Sequence, residues 1–311
     1  MGKSFCELPL LFSTQISEYE ELHSTYIATC VLNGFLCYSA VMLNCVAIYA
    51  IWKTSSLPKA LKTLLLSLAV SDVGVGLLSQ PLYMSLLVMW LQQGNPGCNT
   101  HKALFMVSSF FCIASFFGVV ALSVDRFLAI HLHLRYRELV THKRVVSVVI
   151  LIWVLTGFIF YMIWWVSFDI IRCVVVILAV VCLLVTAVVY IRIYLAVQRL
   201  RKNQIYVLQG QQATENNELA NMANVVKSAF GIFYVFLLFL ICSFPTFICV
   251  AVFQINGPSI PLQKVFLFSW SSVFLNSSLN PVIYCWKMRH IRHAVMNILR
   301  NMAWLRNDAS H

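Results

Sequence analysis

Charge is what this chain has least of. Only 11% of its residues are Asp, Glu, Lys or Arg, whereas soluble domains carry about a quarter. A hydrophobic share of 60% and a mean hydropathy of +0.82 complete the exclusion of an ordinary water-soluble fold. No CxxC pair and no Cys/His cluster has metal-ligand spacing, so a structural zinc site is excluded. No Ser/His, paired-Asp or metal-ligand set falls within the apolar runs, and the chain is not read as an enzyme. There is no low-complexity tract, no internal repeat and no appended soluble domain. The first 24 residues carry Glu7, Glu18, Glu20 and Glu21 and lack the basic start and apolar core of a cleavable signal, which leaves the first apolar run as the insertion signal.

What is present is a set of seven apolar runs, near residues 25–52, 59–88, 98–132, 143–165, 169–200, 222–254 and 260–285. Each reaches the roughly 20 residues that cross a bilayer core as helix. The alternating ten-residue pattern of a membrane barrel is absent, so an all-α bundle of seven transmembrane helices is expected. The net charge of +11 is not a nucleic-acid signal. With the N-terminus outside, only Lys3, Lys102, Arg172 and Lys264 of the 22 basic residues face outward. That asymmetry across short loops places the C-terminus inside, and it brings the basic side against anionic membrane lipid. The expected organisation is an extracellular N-terminus over 1–24, the bundle over 25–285, and an amphipathic surface helix with a short cytoplasmic tail over 286–311. The polar stretch around 203–221 is expected to extend the sixth helix into the cytosol.

Almost the only ionisable groups inside the runs are Asp72 in the second and the pair Asp125–Arg126 at the inner end of the third. A charge kept at membrane depth costs several kcal/mol, so each is a functional hypothesis. Asp125 is placed to hold the Arg126 guanidinium, whose release offers a five-donor fork to a partner. Asp125-Arg126-Phe127 in the third run occurs together with Leu68-Ala69-Val70-Ser71-Asp72 in the second, Asn44 in the first, Pro245 in the sixth and Asn280-Pro281-Val282-Ile283-Tyr284 in the seventh. The combination resembles the rhodopsin-like, class A family of G-protein-coupled receptors over residues 25 to about 300.

The resemblance implies a plasma-membrane receptor that binds an extracellular small-molecule or lipid ligand and activates a heterotrimeric G protein. It assigns coupling and activation to Asp125, Arg126, Tyr190, Phe239, Pro245, Asn280, Pro281 and Tyr284. It also gathers Asp72, Ser115, Asn276, Ser277 and Asn280 as an allosteric Na+ site; the alternative is a protonated Asp72 hydrogen-bonded to water. A transporter or channel is the alternative class, but it calls for repeated halves, broken helix pairs or several midplane charges.

Departures from the family pattern narrow the rest. The outer cysteine position falls on His101, with Cys98 one turn earlier and a second outer loop of barely four residues. Cys98–Cys173 and Cys6–Cys98 both stand as pairings. The fifth run carries Cys182 in place of proline. These features resemble the branch of melanocortin, cannabinoid, lysophospholipid and adenosine receptors, and the segment around Arg135-Tyr136 is most similar to adenosine receptors. Ser243 stands where the family has a tryptophan switch. Ser108 replaces the amine-binding aspartate, Phe274 the retinal lysine and Val250 the adenosine-contacting asparagine. The outer pocket is then read as Ser108, Ser109, Cys112, Leu178, Thr246, Phe247, Val250, Trp270 and Phe274, apolar walls with a few hydroxyls that suit a neutral or apolar ligand.

Overall fold

The computed structural model describes residues 16–55, 57–94, 97–132, 135–162, 177, 180–181, 183–195, 198, 213–257 and 259–308. Every regular element among them is helical. The helices are α1 (Ile16–Lys53), α2 (Lys59–Leu91), α3 (Cys98–Leu132), α4 (His142–Met162), α5 (Leu183–Leu195), α6 (Ala213–Asn256), α7 (Ile260–Lys287) and α8 (Arg289–Asp308). Five of them, α1 to α4 and α6, are long and apolar enough to cross a membrane. The 28 residues of α7 reach about 42 Å at 1.5 Å per residue, long enough to span as well. Leu178, Cys173 and Cys6 lie outside the described residues, as does the side chain of Cys98, so both cysteine pairings do too.

The bundle inverts the usual distribution of polarity. Val31, Phe35, Trp52, Leu151, Val154 and Phe158 point outward, while Asn33, Asn44, Asp72, Gln80, Asn276 and Asn280 are buried. In lipid the outer apolar surface carries no penalty, and polar side chains gain by facing one another. The helices stack as neighbours α1–α2, α2–α3, α3–α4, α3–α6 and α6–α7, and α1 closes onto α7. A core of Ile51, Leu61, Leu65, Leu122, Ile232, Val235 and Tyr284 fills the inner half. Met288 and Ile291 bury the apolar stripe of α8 against that core while Arg289, His290, Arg292 and His293 face out.

Two irregularities position the polar groups. In α2 a π-helical turn runs over Val75–Ser79, just before Pro81, and the Gln80 N–H donates to the Val75 carbonyl five residues back. Such a turn rotates everything after it relative to the helix before it. A Cβ on Gly76 in this turn would sit 2.8 Å from Val41 Cγ2, so glycine lets α1 and α2 touch there. In α7, Pro281 has no N–H to give the Ser277 carbonyl. Asn44 of α1 supplies the missing donor, Nδ2 to Ser277 O at 2.8 Å. The break in one helix is thereby mended by its neighbour.

Candidate functional site

The inner site lies at the end of α3. Arg126 Nε donates to Asp125 Oδ2 at 3.0 Å, and an Nη2–H reaches the same oxygen. The other oxygen, Oδ1, accepts from the Tyr136 hydroxyl at 2.7 Å. Both charges are buried, at 3% and 4% exposure. Tyr136 opens the helical turn Tyr136–Leu139 that follows α3. Burial first, and then the Asp125 charge, push its phenol well above its ordinary range, so at neutral pH it is a fixed donor. Sequence reading found the ion pair and missed this third member; a tyrosine in the loop following a buried aspartate was the available signal.

Next to this site α3, α5 and α6 meet through Ile130, Val189, Ile193 and Ala229, with Val225, Val226, Phe127 and Tyr190 packed against them. Tyr190 is held by Ser123, 2.9 Å between hydroxyls, and lies edge-on to Phe233 at 4.7 Å. Phe239 meets Phe116 at 5.3 Å, and both Pro245 and Pro281 sit inside their helices as expected. Tyr284 is buried in the inner core with no hydrogen-bond partner on its hydroxyl. The Arg126 guanidinium is held by Asp125.

Midway through the bundle, Asp72 is fully buried and accepts a bond from Asn280 Nδ2 at 2.9 Å, with the Ser277 side chain also interacting with it. Its Oδ1 has no partner, and neither do Ser115 Oγ, Asn276 Oδ1, Asn280 Oδ1 and Asn44 Oδ1. Ser277 is buried beside them, its carbonyl taken by Asn44. A buried carboxylate and unused neutral oxygens are the donor types that suit a small hard cation. It offers no set of three His, Cys, Asp or Glu to a transition metal among the described residues. The residues named from sequence therefore fit sodium.

In the outer half, Trp270, Phe274 and Tyr83 form one aromatic cluster, with Tyr83 6.0 Å from Trp270 and 5.6 Å from Phe274. Tyr83 fixes α2 to α7 through its hydroxyl, which donates to Leu267 O at 3.0 Å. Ser108 and Cys112 lie on the inner-facing side of α3, and Ser109 is half-buried. Thr246 donates to Ser269 Oγ at 3.1 Å, sealing α6 to α7, and Val250 is half-buried. Phe247 does not join them. It is 59% exposed on the outside of α6, because the turn that points Thr246 and Val250 inward sends residue 247 toward lipid. An apolar cavity of about 440 Å³ lies elsewhere, between α5 and α6, lined by Val180, Leu183, Leu184, Ala187, Phe236 and Leu240.

A helical bundle with a buried Asp–Arg pair at one end, a buried carboxylate at its middle and a proline-broken seventh helix has the architecture of the seven-transmembrane receptor fold. Comparison agrees with the geometry. Residues 43–169 match the 7 transmembrane receptor (rhodopsin family) model. The chain is 27% identical over 303 residues to the adenosine receptor A2a of Equus caballus, covering 84% of this chain and 69% of that one. It is 26% identical over 302 residues to the adenosine receptor A2a of Homo sapiens, with the same coverage. A crystal structure of squid rhodopsin superposes with a TM-score of 0.77 over 91% of this chain and 87% of the other at 17% identity, which speaks for the fold. By these matches the chain is similar to the rhodopsin-like, class A G-protein-coupled receptors, and it has their multi-pass, seven-helix fold.

Proposed function

We propose that this receptor, with its N-terminus outside the plasma membrane, binds a neutral, largely apolar ligand in the outer half of the bundle and couples to a heterotrimeric G protein at its inner face. The observation that carries the coupling is the buried Asp125–Arg126–Tyr136 set. A guanidinium held this way keeps its fork away from any partner until Asp125 lets go. Agonist binding would bend α6 at Pro245 and separate the apolar contact of Ile130 with Ala229, opening a cavity in which Arg126 and Tyr190 meet the G protein. Similarity to receptors supports this reading over the transporter alternative.

The ligand's chemistry is read from the outer residues. Ser108, Ser109, Thr246 and Trp270 offer hydroxyls and an indole but no charge, so a cationic or acidic ligand finds no counter-ion among them. The relatives' names mention adenosine, but Val250 here has no amide with which to hold a purine edge. Sodium at Asp72, with Ser115, Asn276, Ser277 and Asn280 as its oxygen donors, would stabilise the closed form. The orphaned oxygens around Asp72 support that reading.

Nucleotide exchange on purified G proteins, with the receptor in lipid nanodiscs, is the test. A panel of neutral lipids and purine-free small molecules should contain agonists that accelerate exchange in wild type and not in Arg126→Ala. Exchange that no G-protein class shows, with or without such ligands, would sink the proposal.

A further inference from the structure

A second set of buried polar groups, unrelated to Asp72, lies toward the outer face between α1, α2 and α7. Asn33 of α1 is fully buried and donates its amide to Ser271 Oγ and to Thr29 O, each at 2.7 Å. Its Oδ1 has no partner, nor has Thr29 Oγ1 one turn above. On α2, Ser79 and Gln80 are fully buried, and the Ser79 hydroxyl and both ends of the Gln80 amide lack partners. The helices bring these groups to one level. Cys37 of α1 donates to Gly76 O of α2, and one turn outward from that contact are Asn33 on α1 and Ser79 and Gln80 on α2. The π-helical turn over Val75–Ser79 is what swings Gln80 to the inside.

The cluster is separate from the sodium site. Between the two, Gly76 is packed against Ala40, Val41 and the Cys37 carbonyl too tightly for a Cβ, which closes the seam. On the other side Tyr83 and Phe274 pack against each other, ring centroids 5.6 Å apart. The cluster contains no charge, so it has nothing to hold an ion. An amide buried with neither its N–H groups nor its oxygen satisfied is among the costlier arrangements in a protein interior, and more so where the surroundings are lipid. Natural sequences retain such groups when something else completes their hydrogen bonds.

We propose that Thr29, Asn33, Ser79 and Gln80 form a binding site for a neutral donor–acceptor group, a hydroxyl or carboxamide, supplied either by ordered water or by one end of a ligand that passes behind Tyr83. The guest joins α1 to α2 and α7, and its removal costs the receptor stability.

The sign of a stability change tests this. Gln80→Met and Thr29→Val keep the shape and delete the polar atoms. If a guest is present, each variant of the purified full-length receptor loses its bonds to that guest, and thermal unfolding drops by roughly 2–4 °C. The double variant then falls by clearly less than the sum, because both side chains held the same guest. If the site is empty, the apolar replacements remove an unpaid desolvation penalty and the melting temperature rises. A rise, or two falls that simply add, overturns the proposal. The guest's source is read by titrating acetamide. A stabilisation seen in wild type and absent from the double variant assigns the site to a ligand's carboxamide, and no acetamide effect on a site that still shows coupled losses assigns it to water.

Discussion

At the inner end of α3 the Asp125 carboxylate has Arg126 on one oxygen and Tyr136 on the other. Midway along α2 the equally buried Asp72 carboxylate has Asn280 on one oxygen, and its second oxygen has no hydrogen-bond partner. The first site is complete from the protein's own side chains. A buried ion pair with every strong acceptor used is a latch: separating it costs energy, and an incoming partner must supply that energy. The second is incomplete, with one carboxylate oxygen left without a hydrogen-bond partner. On the proposed reading, one carboxylate sets a barrier to opening, and the other would take a small cation that adjusts which state lies lower.

The comparison breaks most visibly at the latch. Asp125→Asn leaves a buried guanidinium without its counter-charge, and breaking such a pair is worth several kcal/mol. Ligand-free nucleotide exchange should rise by at least tenfold in that variant, whereas Arg126→Ala should be silent with or without ligand. Equal exchange in Asp125→Asn and wild type, at matched surface expression, would show that Asp125 does not restrain Arg126.

At the incomplete site, sodium at about a hundred times its dissociation constant would stabilise the closed receptor by roughly 2.7 kcal/mol. Thermal unfolding in sodium against choline should shift upward by several degrees in wild type. Asp72→Asn and Ser115→Ala should shrink the shift, the first to nothing. A sodium shift of the same size in Asp72→Asn removes the cation from the argument.

A smaller effect sits on Tyr136. Its hydroxyl gives a charge-assisted bond to Asp125, worth about 1.5 kcal/mol. Tyr136→Phe keeps the ring and loses the bond, so ligand-free exchange should rise roughly tenfold at most, less than in Asp125→Asn. The double variant should add little to Asp125→Asn alone, since both act on one carboxylate. Additive increases would place Tyr136 outside the latch.

Periodicity and motif made much of this legible. Apolar runs of span length, the rarity of Asp72 and Arg126, and the asparagines that accompany them can be read from the chain because lipid penalises charge so heavily. Three things could not be read. The bond from Tyr136 depends on how the turn after α3 folds back. The outward face of Phe247 depends on the rotation of α6 against its neighbours, to which a list of matched positions is blind. The outer polar cluster depends on the π-helical turn in α2, which shifts Gln80 by a fraction of a turn and has no composition of its own.

The last effect concerns what holds α6 against α3. Many receptors of this family add an acidic residue on the sixth helix as a second holder for the arginine; the matching position here is Val225, packed with Ile130 and Ala229 in an apolar contact. That contact gives closing energy without direction, and it does nothing to engage Arg126. The loss of one ion pair near the cytosolic surface removes on the order of 1 kcal/mol of bias, about fivefold in population. The wild type should therefore exchange nucleotide appreciably without ligand, and Val225→Glu should lower that rate about fivefold by offering the guanidinium a second carboxylate. Val225→Leu, which preserves the apolar contact, should leave it unchanged. If the wild type is as silent as Arg126→Ala, or if Val225→Leu lowers exchange as far as Val225→Glu, the apolar contact alone holds the receptor shut and the missing acid has no consequence.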